Sequence, residues 1–140
     1  RRVGEKAFWA GLRAYYETYK NSNALTHDFR EVMELSSGQD LSRFFDQWLY
    51  RPGVPELGLE WSWNRKEGLQ ASVVQMQDAP PYALTLDIAA NGPDGQIAEW
   101  TVSLEETRRE FSLPCSFEPQ RLRLDPHTWL LFRAELKQRD

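Results

Sequence analysis

The apolar residues of this chain recur every three to four positions up to Leu49 and at every second position from Leu57 onward. The first period belongs to a helix and the second to a half-buried strand, so one regular architecture cannot accommodate both halves. The change falls at Arg51-Pro52-Gly53, where a residue without a backbone donor and then one without a side chain stop a helix. The sequence therefore predicts an α+β chain of two modules, with a helical segment over 1–53 and an antiparallel β-sandwich over 54–140. Charge divides in the same place. Eight basic and seven acidic side chains lie in residues 1–55, against nine and fourteen in residues 56–140.

In the first module, Phe8, Leu12, Tyr15, Tyr16 and Tyr19 form one stripe along Glu5 to Tyr19, which predicts an amphipathic helix. Asn21-Ser22-Asn23 competes for backbone hydrogen bonds and ends it. Thr26 is the expected N-cap of a second helix, with Asp28 in the favourable first turn, a buried stripe of Phe29, Val32 and Met33, and Gly38 at the left-handed end. Asp40 is expected to cap a third helix, in which Leu41, Phe44, Phe45, Trp48 and Leu49 repeat at helical spacing. Three such short helices cannot bury all of Phe8, Phe29, Met33 and Phe44, and should pack on something else.

In the second module, Leu57, Leu59, Trp61 and Trp63 alternate with polar residues, and Arg65 to Gly68 turns the chain into Leu69 to Met76. That pattern predicts a hairpin. Leu84, Leu86 and Ile88 alternate again, Asn91 to Gly95 makes a turn, and Ala98, Trp100, Val102 and Leu104 form the next strand. Arg109 to Leu113 and Arg121 to Leu124 read as further strands, and Leu130 to Leu136 as a last strand or short helix.

Chemistry is sparse. The 140 residues hold two histidines and one cysteine, which excludes an internal disulfide and nearly excludes a Cys/His zinc finger. His27 and His127 lack a second histidine at helical spacing, and each reads as an ordinary surface or half-buried residue. Cys115 has no neighbouring cation in sequence to activate it, and reads as a buried structural thiol. Glu105-Glu106 is expected in a charged turn, Asp40 in a cap and Asp46 on an exposed helix face. No glycine-rich nucleotide loop and no serine-hydrolase elbow is present. Trp61, Trp63 and Trp100 fit inward strand positions, and Trp48 the buried side of a helix, in preference to a sugar-binding platform. Pro80-Pro81-Tyr82 reads as a rigid turn. The net charge of −4 disfavours nucleic acid and anionic membrane as partners. No run approaches the roughly 18 apolar residues of a membrane span, and Arg1 to Glu5 leads into helix pattern, so the chain reads as soluble, with its compartment unassigned. No catalytic, cofactor-binding or metal-ligating residue is assigned.

Six pieces in order carry a resemblance: Phe8-Trp9-Ala10-Gly11-Leu12-Arg13-Ala14-Tyr15-Tyr16; Asn23 to Phe29; Met33-Glu34; Ser37-Gly38-Gln39-Asp40-Leu41; Phe44-Phe45-Asp46-Gln47-Trp48-Leu49; and Pro52-Gly53-Val54-Pro55. This order resembles the end of the catalytic domain in aminopeptidase N-like zinc metallopeptidases, the gluzincin aminopeptidases. Leu122-Arg123-Leu124-Asp125-Pro126 resembles the strand and turn near the end of the sandwich that follows it.

The resemblance implies a thermolysin-like catalytic domain ending in the helical segment, followed by an Ig-like sandwich. It also implies a parent enzyme with one zinc bound by a His-Glu-x-x-His helix and a later Glu, acting on the amino terminus of peptides. Neither motif lies in this chain. The chain is therefore expected to be a non-catalytic C-terminal fragment, without a cofactor of its own, whose partners are the upstream catalytic domain and, for the parent, peptide substrates. Two alternatives stand beside this reading: a β-sandwich module that binds a protein or glycan, and an independent enzyme that uses scattered carboxylates.

Overall fold

A computed structural model describes residues 2–139, which fall into two compact units that divide between Pro52 and Gly53. The first unit is helical. Its α1 (Glu5–Tyr19) and α2 (Thr26–Ser37) approach closely at Gly11, where an added Cβ would lie 2.5 Å from Met33 Sδ. Met33, Leu41 and Phe45 form its buried core, with Val3 and Phe29 packed against them. Phe29 meets both Tyr15 and Phe45 edge-on, an arrangement that places ring edges against ring faces. Gly38 ends α2 in the left-handed conformation, with φ 66°.

Two caps differ from the sequence expectation. Leu25, not Thr26, is the N-cap of α2, because the Asp28 carboxylate reaches back to accept the Leu25 N–H at 2.7 Å and fixes the first turn there. Asp40 lies one residue before the N-cap of α3, and its carboxylate accepts both the N–H (2.8 Å) and the hydroxyl (2.5 Å) of Ser42.

The larger correction concerns the third helix. Only Ser42–Phe45 (α3) is α-helical, and Asp46–Tyr50 is a π-helical turn, closed by the Arg51 N–H donating to Asp46 O at 2.9 Å. A π turn spans one residue more than an α turn, so the hydrophobic stripe slips beyond Phe45. Gln47 takes the buried place, Trp48 is only half-buried, and Leu49 is 60% exposed. Phe44 is also exposed.

The second unit carries seven strands: β1 (Glu56–Asn64), β2 (Gly68–Gln75), β3 (Leu84–Asn91), β4 (Ile97–Leu104), β5 (Arg108–Leu113), β6 (Arg121–Leu124) and β7 (Arg133–Gln138). They form a four-stranded sheet, β5-β2-β1-β7, and a three-stranded sheet, β4-β3-β6. The alternation read from sequence places Leu57, Leu59 and Trp61 of β1 inside, opposite Gln75, Val73 and Ala71 of β2. Leu84, Leu86 and Ile88 face inward from the other sheet. Trp63 and Trp100 are half-buried.

One pair departs from the antiparallel expectation. β7 runs parallel to β1, from Glu56↔Arg133 to Trp61↔Gln138. The last strand follows a crossing from the three-stranded sheet and enters at the end where β1 begins, and such a crossover permits parallel pairing.

The sheets are unequal in width, which decides where the core ends. β4 and β5 are consecutive edge strands, tied by Arg109 Nη1 donating to Ser103 O at 2.9 Å. β2 and β3 are tied by Gln75, whose amide donates to Tyr82 O (2.9 Å) and accepts from the Tyr82 N–H (2.8 Å). By strand order from the β4–β5 junction, β3 matches β2 and β6 matches β1, and β7 has no counterpart in the narrower sheet. All six residues of β7 are exposed, although Leu136 is the register partner of Leu59, which is fully buried.

Candidate functional site

The sequence points to no catalytic residue, and the structure scatters its histidines, cysteine and carboxylates over both units. His27 Nε2 lies 3.1 Å from Asp28 at the start of α2, and His127 Nε2 lies 3.1 Å from Glu99 beside β4. Both imidazoles are exposed. Cys115 is buried, and its thiol donates to Phe117 O at 3.1 Å. Glu105, Glu106, Asp40 and Asp46 are exposed. Among the described residues, no three His, Cys, Asp or Glu side chains come together in a way that could hold a metal ion. The described residues therefore do not fit a zinc ion of the kind that the resemblance implies for the parent enzyme. No helix of the described residues is long and apolar enough to cross a membrane.

The structure concentrates instead a large apolar surface on the helical unit. Phe8, Trp9 and Tyr16 of α1, Leu25 and Leu35 at α2, and Phe44, Leu49 and Tyr50 at the last turns are all exposed. The pattern has a local cause. One stripe of α1 buries Gly11 and half-buries Leu12, Tyr15 and Tyr19 against the unit, and the aromatic residues flanking that stripe have no element of the unit left to cover them. A groove of about 780 Å³ runs along α1 and the turn after it, its wall combining apolar and aromatic residues such as Trp9, Leu12 and Tyr16 with Arg13, Glu17 and Lys20. Burial, and after it the negative charge of Asp28 and Glu31, holds the Tyr19 hydroxyl above the usual phenol value of 10.0. Apolar and aromatic side chains thus share the groove with the charged Arg13, Glu17 and Lys20. The composition signalled this surface in advance, since more helical aromatics were present than three helices could cover.

No family model matches the chain. Aminopeptidase N of Lactococcus lactis subsp. lactis is 38% identical over 58 residues, which is 41% of this chain and 7% of that protein. The puromycin-sensitive aminopeptidase of Caenorhabditis elegans is 27% identical over 106 residues, 73% of this chain and 10% of that protein. The chain thus spans only about a tenth of the length of the curated relatives it matches. Among solved structures, Legionella pneumophila aminopeptidase A in complex with aspartic acid superposes with a TM-score of 0.78 at 17% identity, over 95% of this chain and 16% of that one. At that identity the superposition speaks for the fold. The resemblance carried by the six ordered pieces is borne out: the chain is similar in sequence to a short stretch of aminopeptidase N and related aminopeptidases, and similar in fold to part of a solved aminopeptidase.

Proposed function

We propose that this chain is a non-catalytic, C-terminal piece of a zinc-dependent aminopeptidase, with the helical unit closing the catalytic domain and an Ig-like sandwich beside it. Its role is structural: it packs against the catalytic domain and lends a wall to the entrance of the site where the parent removes residues from the amino terminus of peptides. The observation that carries this reading is the helical unit's exposed apolar set. Eight large side chains, Phe8, Trp9, Tyr16, Leu25, Leu35, Phe44, Leu49 and Tyr50, lie open on a unit whose buried apolar core is Met33, Leu41 and Phe45. Monomeric proteins seldom leave that much apolar surface uncovered, and a domain cut from its neighbours does.

The same reading locates the zinc chemistry elsewhere in the parent, because activating water at a metal needs several protein ligands around one open position. Two measurements test it together. Metal analysis after dialysis should find no stoichiometric zinc on this chain, and an amino-acid anilide should not be hydrolysed by it. About one zinc per chain held by protein side chains, or hydrolysis proportional to chain concentration, overturns the proposal. The coding sequence immediately upstream should carry His-Glu-x-x-His and a later Glu.

A further inference from the structure

We propose that the free edge of β6, beneath the uncovered inner face of β7, docks an extended segment of another protein in which acidic and apolar side chains alternate. The three-stranded sheet is one strand short of its partner. In consequence Ala134, Leu136 and Gln138 are exposed, although they share a face with their fully or nearly fully buried register partners Leu57, Leu59 and Trp61. Leu131, at the entrance to β7, is 70% exposed. One further strand beside β6 would lay its apolar side chains on Leu136 and complete the second sheet.

The backbone is set to receive it. β6 pairs antiparallel with β3, Ile88 opposite Leu124 and Ala90 opposite Leu122, and the Asp125 N–H donates to Asp87 O at 2.7 Å. Hydrogen-bonded and non-bonded pairs alternate along such a ladder. Asp87↔Asp125 is a bonded pair, so Leu122 and Leu124 belong to the non-bonded pairs, and their amide groups point away from β3 toward the vacant edge. An added strand would be held by main-chain hydrogen bonds there, with side chains at alternate positions supplying selectivity.

Charge selects the occupant. Arg121 and Arg123 are exposed on the outer face of β6, and neither has an ion-pair partner among the described residues. A second copy is a poor occupant, because edge-to-edge pairing of two β6 strands with their faces aligned sets Arg121 opposite Arg123, and like charges directly opposite are destabilising. Arginines on a short edge guard it against self-pairing. Opposite the same arginines, glutamates of a foreign strand would form favourable cross-strand pairs.

The test uses the full 140-residue chain and a labelled peptide, acetyl-Glu-Val-Glu-Val-Glu-Val-Glu-amide, with a lysine-for-glutamate version as control. Fluorescence anisotropy should show saturable binding of the acidic peptide, about tenfold weaker binding of the basic one, and a similar loss in the Arg121→Glu/Arg123→Glu double variant and in Leu136→Asp. These are exposed sites, and circular dichroism checks that the variants stay folded. Hydrogen exchange should slow at the Leu122 and Leu124 amides when the acidic peptide is bound. Absence of binding up to millimolar peptide, equal binding of the basic peptide, insensitivity to the substitutions, or unchanged exchange at Leu122 and Leu124 would each overturn the proposal. So would a dimer of the chain that itself protects those two amides.

Discussion

Gly68→Ala should be among the most damaging single-methyl additions to this chain. Gly68 closes the β1–β2 turn opposite Asn64, with φ at +76°, and an added Cβ would lie 2.7 Å from Leu113 O and 3.0 Å from Cys115 N. Two costs add. An L-residue in that backbone region is strained by about 1–2 kcal/mol. The contacts are with backbone and not with the flexible end of a side chain, so the end of β5 must also move, and overpacking of that kind costs about 1–3 kcal/mol. The sum is about 2–5 kcal/mol.

Gly95→Ala is the control, with the same sign of φ (+77°) and nothing within 4 Å of the added carbon, so it should cost the strain alone. With a urea slope of about 1–2 kcal/mol per molar, the extra overpacking cost of about 1–3 kcal/mol should make the Gly68 variant unfold about 0.5–3 M earlier than the control. Urea titration by circular dichroism gives the midpoints. The Trp63 indole N–H, which donates to Cys115 O at 3.0 Å, should shift in the nuclear magnetic resonance spectrum of the Gly68 variant only. Equal midpoints for the two variants, with Trp63 unmoved in both, would refute the packing argument.

Trp61→Ala should cost about 3–5 kcal/mol, since Trp61 is 5% exposed in the core; the half-buried Trp48 should cost clearly less, and the reverse order in denaturation midpoints would restore an unbroken third helix. Gln75→Leu should destabilise by about 2–4 kcal/mol, because it strands the buried N–H and C=O of Tyr82; a midpoint equal to wild type would mean that water replaces the side chain without loss. The bonds from Ser42 hold the Asp40 carboxyl below its usual 3.8, and those from Arg139 hold Glu60 below its usual 4.5. Both folded-state values are depressed, so the stabilisation is present above the unfolded values and disappears as pH falls through the folded ones. The stability gap between wild type and Asp40→Ala should therefore be open at pH 6, begin to narrow as pH falls past the usual 3.8 and vanish below the depressed folded value, as denaturation at a series of pH values would show. Hydrogen exchange should protect the amides of β2 and β3 more strongly than those of α1 and α2, and equal protection in a dilute monomer would mean that the helical unit is self-sufficient.

Some of this protein follows from local spacing alone. The switch of period at Pro52-Gly53, the stripe of α1, the left-handed Gly38 and the inward Leu57, Leu59 and Trp61 are all consequences of how side chains project from a helix or a strand, which neighbouring residues determine. The ordered pieces between Phe8 and Pro55 likewise sufficed to point to the aminopeptidases. Other features are not given by that spacing. The π turn at Asp46–Tyr50 exchanged Trp48 for Gln47 in the buried position, against a helical pattern that favoured the tryptophan. Gln75 reads as a polar strand residue, and becomes a buried bridge only because Tyr82 returns to it on the way to the other sheet. The parallel pairing of β7 with β1, and the sheet left one strand narrower than its partner, arise from the order in which strands cross between sheets. A period of two fixes which residues share a face. It carries no information about which strand lies beside or above another, because that depends on non-local pairing and on how completely each face can be covered.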